Sequence, residues 1–158
     1  MKRGLSLFVM CVLGTTLFAE SGPPLTLEAR AKGAQMVVVA SVGNVNSWYA
    51  VNQYGDQLIV SQVTLNVEER LKGNVAAPGR LDMQVEGGTV GNITLRVSDM
   101  PSLQAGERAV VFLEYTPSGT LIPHRRGLGI LKLQGDAISG TDISLARVRD
   151  TVRQASGR

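Results

Sequence analysis

The sequence predicts a mainly β domain flanked by a short N-terminal helix and an amphipathic C-terminal helix, and three stretches carry that expectation. In VSQVTLNVEERLKGNV, residues 60–75, Val63, Leu65 and Val67 fall on one face and Gln62, Thr64, Asn66 and Glu68 on the other. This is the two-residue alternation of a half-buried strand, and Gly73 ends it. RAVVFLEY, residues 108–115, is almost continuously apolar, as a central strand covered on both faces must be. SLARVRDTVRQ, residues 144–154, places Leu145, Val148 and Val152 at helical spacing, with Ser144 positioned as a cap. At 158 residues and 44% hydrophobic content, the chain has room for one core of ordinary size.

Along the chain, residues 21–24 (SGPP) read as a linker and residues 26–35 (TLEARAKGAQ) as a short helix. Thr26 caps that helix, Glu28 sits in its electropositive first turn, and Gly33 lies near its end. Residues 36–45 form a β-branched run suited to a strand buried on both faces, with Gly43 marking a bend or bulge. Residues 46–57, NSWYAVNQYGDQ, are rich in polar and turn-forming types and are expected to be a loop before the strand at 58–71. Gly73, Pro78 and Gly79 then turn the chain into RLDMQVE, where Leu81, Met83 and Val85 alternate with Asp82, Gln84 and Glu86. After the glycine-rich connection at 87–92, Ile93, Leu95 and Val97 alternate with polar partners and predict another strand. A loop precedes the strand at 108–115. The last strand centres on Ile130, Leu131 and Leu133, and Pro123 must lie at a sheet edge or outside the ladder because it has no amide proton to donate.

The order of these pieces resembles the netrin-like domain, the OB-type barrel also found in tissue inhibitors of metalloproteinases. The strand VVVASVGNV, a long strand ending in EERLKG, a strand followed by GG, and AGERAVVFLEY carry the resemblance over roughly residues 34–135. It implies a five-stranded OB-like barrel, closed or partly open, over residues 34–136, with Val63, Leu65 and Val67 pointing inwards. Residues 20–33 then form a linker and short helix, and residues 137–158 a C-terminal helix and tail. A β-sandwich is the alternative fold for the same alternating strands. The family's animal members are typically disulfide-bonded, and the metalloproteinase inhibitors resemble one another in placing an N-terminal cysteine on the target's zinc. Here the one cysteine is Cys11, so that mechanism transfers to no residue of this chain.

Lys2 and Arg3 precede an apolar run that ends at Phe18, with small Ala19 before Glu20, the order of a secretory signal peptide over residues 1–19. The run is shorter than the ~20 apolar residues of a spanning helix and is interrupted by Gly14, Thr15 and Thr16. The expected location is therefore periplasmic or extracellular, with no membrane span after cleavage. Cleavage removes Cys11, leaving neither a disulfide nor a thiol nucleophile. It also removes Lys2 and Arg3, so 14 of the 16 basic residues remain against 13 acids and the formal charge falls from +3 to +1. That balance disfavours a nucleic-acid partner. The exception is the C-terminal segment, where Arg147, Arg149, Arg153 and Arg158 stand against Asp150.

No residue set announces catalysis. His124 is the single histidine, read as an exposed loop residue, and no G-x-S-x-G elbow occurs. RGLGILK, residues 126–132, lacks the third glycine and the strand-to-helix setting of a dinucleotide loop, and GGTVGN has no phosphate-binding lysine. The pairs Asp82 with Glu86 and Glu68 with Glu69 read as solvated outer faces. Asn92-Ile93-Thr94 matches the N-glycosylation acceptor pattern, which matters only in a eukaryotic secretory pathway. No enzyme, cofactor or metal is expected. The aromatics are more informative: Trp48, Tyr49 and Tyr54 lie between the first two strands and Tyr115 ends the strand at 108–115. With His124, Arg125 and Arg126 they form the expected binding residues, since the resemblance implies that these two loops flank the ligand face of an OB fold. The expected function is an exported, non-enzymatic module that recognises a protein or cell-envelope component through barrel-mouth loops. Trp48 as a plug of the barrel mouth is the competing account of that residue. A secreted protease inhibitor or hydrolase and a single-stranded nucleic-acid binder are the alternative functions.

Overall fold

The computed structural model describes residues 25–157 apart from Gln53. The expected signal peptide with Cys11, the 21–24 linker and Arg158 lie outside the described residues. Helix α1 (Leu27–Gly33) begins as its sequence implies, with the Thr26 hydroxyl accepting a 3.1 Å hydrogen bond from the Ala29 N–H. Its far end is met by a cation from the sheet. Lys72 Nζ donates to the carbonyls of Ala31 at 2.8 Å and Ala34 at 2.7 Å, compensating the negative pole of the helix.

Strands β1 (Met36–Val51) and β2 (Gln57–Lys72) form a long antiparallel hairpin, followed by β3 (Gly79–Glu86). A small separate hairpin of β4 (Gly88–Val90) and β5 (Ile93–Leu95) comes next, then β6 (Arg108–Tyr115) and β7 (Leu121–Pro123). A 3-10 turn at Arg126–Gly129, β8 (Ile130–Gln134), β9 (Ala137–Ile138) and α2 (Leu145–Ala155) complete the chain. The main sheet is antiparallel with the order β3-β2-β1-β6-β8-β9, and β7 also pairs with β6. The mainly β architecture with a helix near each end is as expected. Strands β3 and β7 border a common cleft, but no ladder joins them, and no closed barrel is found among the described residues.

Alternation divides the central strands between two cores. Met36, Val38, Ala40 and Val42 of β1 join Val63, Leu65 and Val67 of β2, Met83 and Val85 of β3, and Ala109, Val111 and Leu113 of β6 on the inner face. Val37, Val39, Val110 and Phe112 point the other way, onto Ala31 of α1 and Leu145, Val148 and Val152 of α2. This two-sided burial explains why residues 36–40 and 109–113 read as continuous apolar runs. Ser144 caps α2 by accepting from the Arg147 N–H at 3.2 Å, as its position implied.

Three expectations require correction. Residues 46–51 are strand, because β1 continues past a register shift between Val42 and Val45 and pairs with β2 from Val45 to Val51. The ladder satisfies their backbone whatever side chains they carry. Residues 93–97 do not add a strand to the main sheet. Gly87 and Gly88, at φ of 93° and 136°, fold the chain back into the β4–β5 hairpin, which leaves Ile93 exposed. Thr64, expected on a solvated face, is buried, and its hydroxyl donates to Asp82 Oδ1 at 2.7 Å. Pro123 behaves as expected, lying in the short outer strand β7.

Candidate functional site

Two depressions among the described residues bear on function. The larger is a cavity of about 660 Å³, within the range of small-molecule sites. The sheet supplies Val45, Val63 and Val85, the β4–β5 arm supplies Leu95, and the following segment supplies Val97, Met100 and Leu103. Between these apolar walls stand polar groups, among them Arg96, Gln104 and the cross-strand pair Ser47 and Ser61. Their hydroxyl oxygens are 2.8 Å apart, and Ser61 Oγ donates to the Gly87 carbonyl at 2.6 Å. A hydroxyl has one proton. With the Ser61 proton committed to Gly87, Ser47 must donate to Ser61, so Ser47 Oγ presents only lone pairs to any other group. Gly88 is pressed against both hydroxyls, and a Cβ there would collide with them.

The wall formed by residues 98–104 is tied down by Arg126. Its guanidinium donates to Asp99 Oδ2 at 2.6 Å and to Glu86 Oε2 at 2.8 Å, bridging this segment to the end of β3. The hydrogen bond from Arg126 holds the Asp99 carboxyl below its ordinary range, and the two carboxylates raise the Arg126 pKa. Gly127 completes the tie, because the Asp99 carbonyl occupies the place of a Cβ.

The smaller depression, about 390 Å³, brings together Trp48 and Tyr115 with Gln62, Arg80, Gln84 and Leu121. Trp48 is 40% exposed and Tyr115 50%. The other expected binding residues do not join them. Tyr49 follows Trp48 on one strand and so points to the opposite face, and Tyr54 stands exposed at the tip of the β1–β2 hairpin. Arg126 is engaged by Asp99 and Glu86, while Arg125 is exposed in a left-handed conformation at φ 58°.

His124 is a correction. It is buried, with Nδ1 2.8 Å from Glu114 Oε2 and the far side of its ring packed on Gly33, so it fastens the end of β7 to α1. The carboxylates considered for hydrolysis are each engaged by a different cation: Glu68 by Arg108, Glu69 by Arg149, Asp82 by Arg80 and Glu86 by Arg126. Asn92 of the glycosylation pattern is exposed at the turn of the small hairpin.

Sequence reasoning missed the larger cavity, although one signal was present. Ser61 occupies the apolar face of its strand, two residues before Val63, and a hydroxyl in that row requires a buried partner. Its partner Ser47 lay in a segment read as loop. No helix among the described residues is long and apolar enough to cross a membrane. Compared with protein-family models and with curated proteins, the chain finds no match.

Proposed function

We propose that this chain is an exported, non-enzymatic binding module that recognises a protein component of the cell envelope or its surroundings through the cleft between Trp48 and Tyr115. The observation that carries this reading is the meeting of those two exposed aromatics with Arg80 on one surface, although they come from distant parts of the sequence. Tryptophan, tyrosine and arginine are the residue types that most often anchor protein interfaces. The open edges of β3 and β7 at the same cleft fit a partly open, netrin-like OB barrel, whose mouth this surface would be. Arg126 is engaged elsewhere, which leaves the basic groove required for single-stranded nucleic acid with less support.

The test is capture from the exported fraction of the native host, with the full chain expressed there and intact mass recorded to follow loss of about the first nineteen residues. Trp48→Ala is expected to abolish capture of the wild-type partner, since a central interface anchor contributes about 2 kcal/mol or more. Its melting temperature should stay near that of the wild type. Undiminished capture by Trp48→Ala would overturn the reading, and unfolding of the variant would make Trp48 a structural plug.

A further inference from the structure

We infer that the cavity beneath the β4–β5 hairpin is a second, independent site, for a single-chain amphiphile whose anionic head sits at the rim on Arg96. Burial grades from floor to rim. Val63 and Val85 are buried at the floor, and Val45, Leu95, Val97 and Leu103, less buried, continue the apolar wall. Thr89, Thr94, Arg96, Ser98, Ser102 and Gln104 line the same cavity and are exposed, so they stand at its mouth. An apolar interior below a rim of hydrogen-bonding groups fits a hydrocarbon tail and a polar head. The interior offers an anionic head no donor, because Ser61 donates to Gly87 and Ser47 donates to Ser61, which leaves only lone pairs there. The head is thereby kept at the rim.

Charge at the rim selects the sign of the head. Hydroxyls and the Gln104 amide both donate and accept, so they admit any polar head, whereas a guanidinium only donates and is always charged. Arg96 makes no ion pair among the described residues. Glu86 is the other charged residue of the lining, and Arg126 holds its two carboxylate oxygens at 3.1 and 2.8 Å. Arg126 also holds Asp99, at 2.6 and 3.2 Å, so its own charge is spent within the protein. Beside Arg96, the Thr89 and Thr94 hydroxyls are 2.9 Å apart; one of their protons joins them and the other is left to donate. A carboxylate or phosphate matches the fork of the uncommitted guanidinium. An alkylammonium is repelled by it, and a neutral head forgoes the ion pair.

The experiment titrates the isotope-labelled full chain with decanoate, monodecyl phosphate, 1-decanol and decylammonium, all below micelle concentrations, and follows the backbone amide and Arg96 Nε–H chemical shifts. The two anions are expected to shift the amides of Gly87, Val97 and Leu103 together with the Arg96 Nε–H. Decanoate should bind roughly 2- to 5-fold tighter than decanol, the scale of one ion pair at an exposed cation. The tighter of the two anions identifies the head, and added salt should shrink their advantage. Arg96→Gln should lower both anions to the affinity of decanol, and Arg96→Lys should keep part of the difference. Val97→Trp, which fills the space, should remove binding of every probe. Trp48→Ala should change none of this, so failure of the protein-binding reading leaves this site standing and the reverse also holds. Decanol or decylammonium binding as tightly as the anions, an anion preference that persists in Arg96→Gln, or absence of shifts at the cavity would each overturn the inference.

Discussion

The two halves of the β1–β2 hairpin share one ladder and differ in almost everything else. From Met36 to Ala40, β1 is flanked by β2 and β6 and buried on both faces, and β2 opposite it ends under α1 through Lys72. From Val45 to Val51 the ladder partner is β2 alone among the described residues, and Val45, Trp48, Tyr49 and Val51 are exposed. The ladder supplies backbone hydrogen bonds in both halves, and in the second half burial is confined mainly to β2, where Ile59, Val60, Ser61 and Val63 are buried opposite the exposed residues of β1. The exposed side chains of β1 there, Val45, Trp48, Tyr49 and Val51, are available for contact with other molecules. The first half holds the fold, and the second carries both depressions.

That division implies a gradient of mutational cost. The largest effect belongs where both cores meet the central strands. Phe112→Ala removes the largest fully buried side chain, from the helix-facing core, and should cost about 3–5 kcal/mol. Leu65→Ala on the inner face should cost roughly 2–5 kcal/mol. Chemical denaturation of both variants checks these values. If Trp48→Ala cost as much as Phe112→Ala, the two halves would not differ in the way described.

Thr64 sharpens the boundary between buried and solvated positions on β2. Its hydroxyl donates to Asp82 Oδ1 and accepts from Arg80 at 3.1 Å, in a partly buried setting. Thr64→Ala should therefore cost about 1.5–3 kcal/mol, the range for losing a hydrogen bond to a charged group, and Thr64→Ser should recover most of it. Denaturation midpoints that are unchanged in Thr64→Ala would return this residue to the solvated face.

The boundary also explains what could be read from the sequence. The doubly buried half was legible because β-branched runs and continuous apolar stretches arise directly from burial on two faces, as at residues 36–40 and 109–113. Helix α2 was legible because Leu145, Val148 and Val152 had to share a stripe. The projecting half was misread as loop because Asn46, Ser47 and Asn52 are turn-forming types, and local composition does not reveal a ladder held by a distant strand. The candidate site was legible only in part. Trp48 and Tyr115 share a cleft, but the alternation of a strand sends Tyr49 to the other face, and ion pairing across the fold engages Arg126.

A smaller effect tests the tie between the cavity wall and the sheet. Asp99 has its pKa lowered by the hydrogen bond from Arg126, so it stabilises the folded state above the unfolded carboxyl value of about 4 and loses that contribution as pH falls through the folded value. Arg126→Gln should flatten the acid side of the melting-temperature profile relative to the wild type and change the profile little above about pH 6. Since both partners are about half exposed, added salt should shrink the difference. Parallel acid limbs in the two proteins would mean that the bridge does not hold the wall.

The smallest expected effect lies at the tip of the projecting half. Val51 is 70% exposed and Tyr54 79%, and the turn beside them is held by a different residue: Asn52 Oδ1 accepts from the Tyr54 and Asp56 amides, both at 2.9 Å. Asn52 Nδ2 also donates to Asp56 Oδ2 at 3.0 Å, so the turn's geometry depends on the amide side chain and not on the aromatic ring. Replacing Val51 and Tyr54 by serine should accordingly shift stability by no more than about 0.5 kcal/mol, the range of surface substitutions. Asn52→Ala should instead speed hydrogen exchange of the Asp56 amide, because the side-chain acceptor for that amide is gone. A large stability loss in the Val51 and Tyr54 double variant would show that the tip packs against something in the folded protein, and the contrast between the two halves of the hairpin would then fail at the place where it should be greatest.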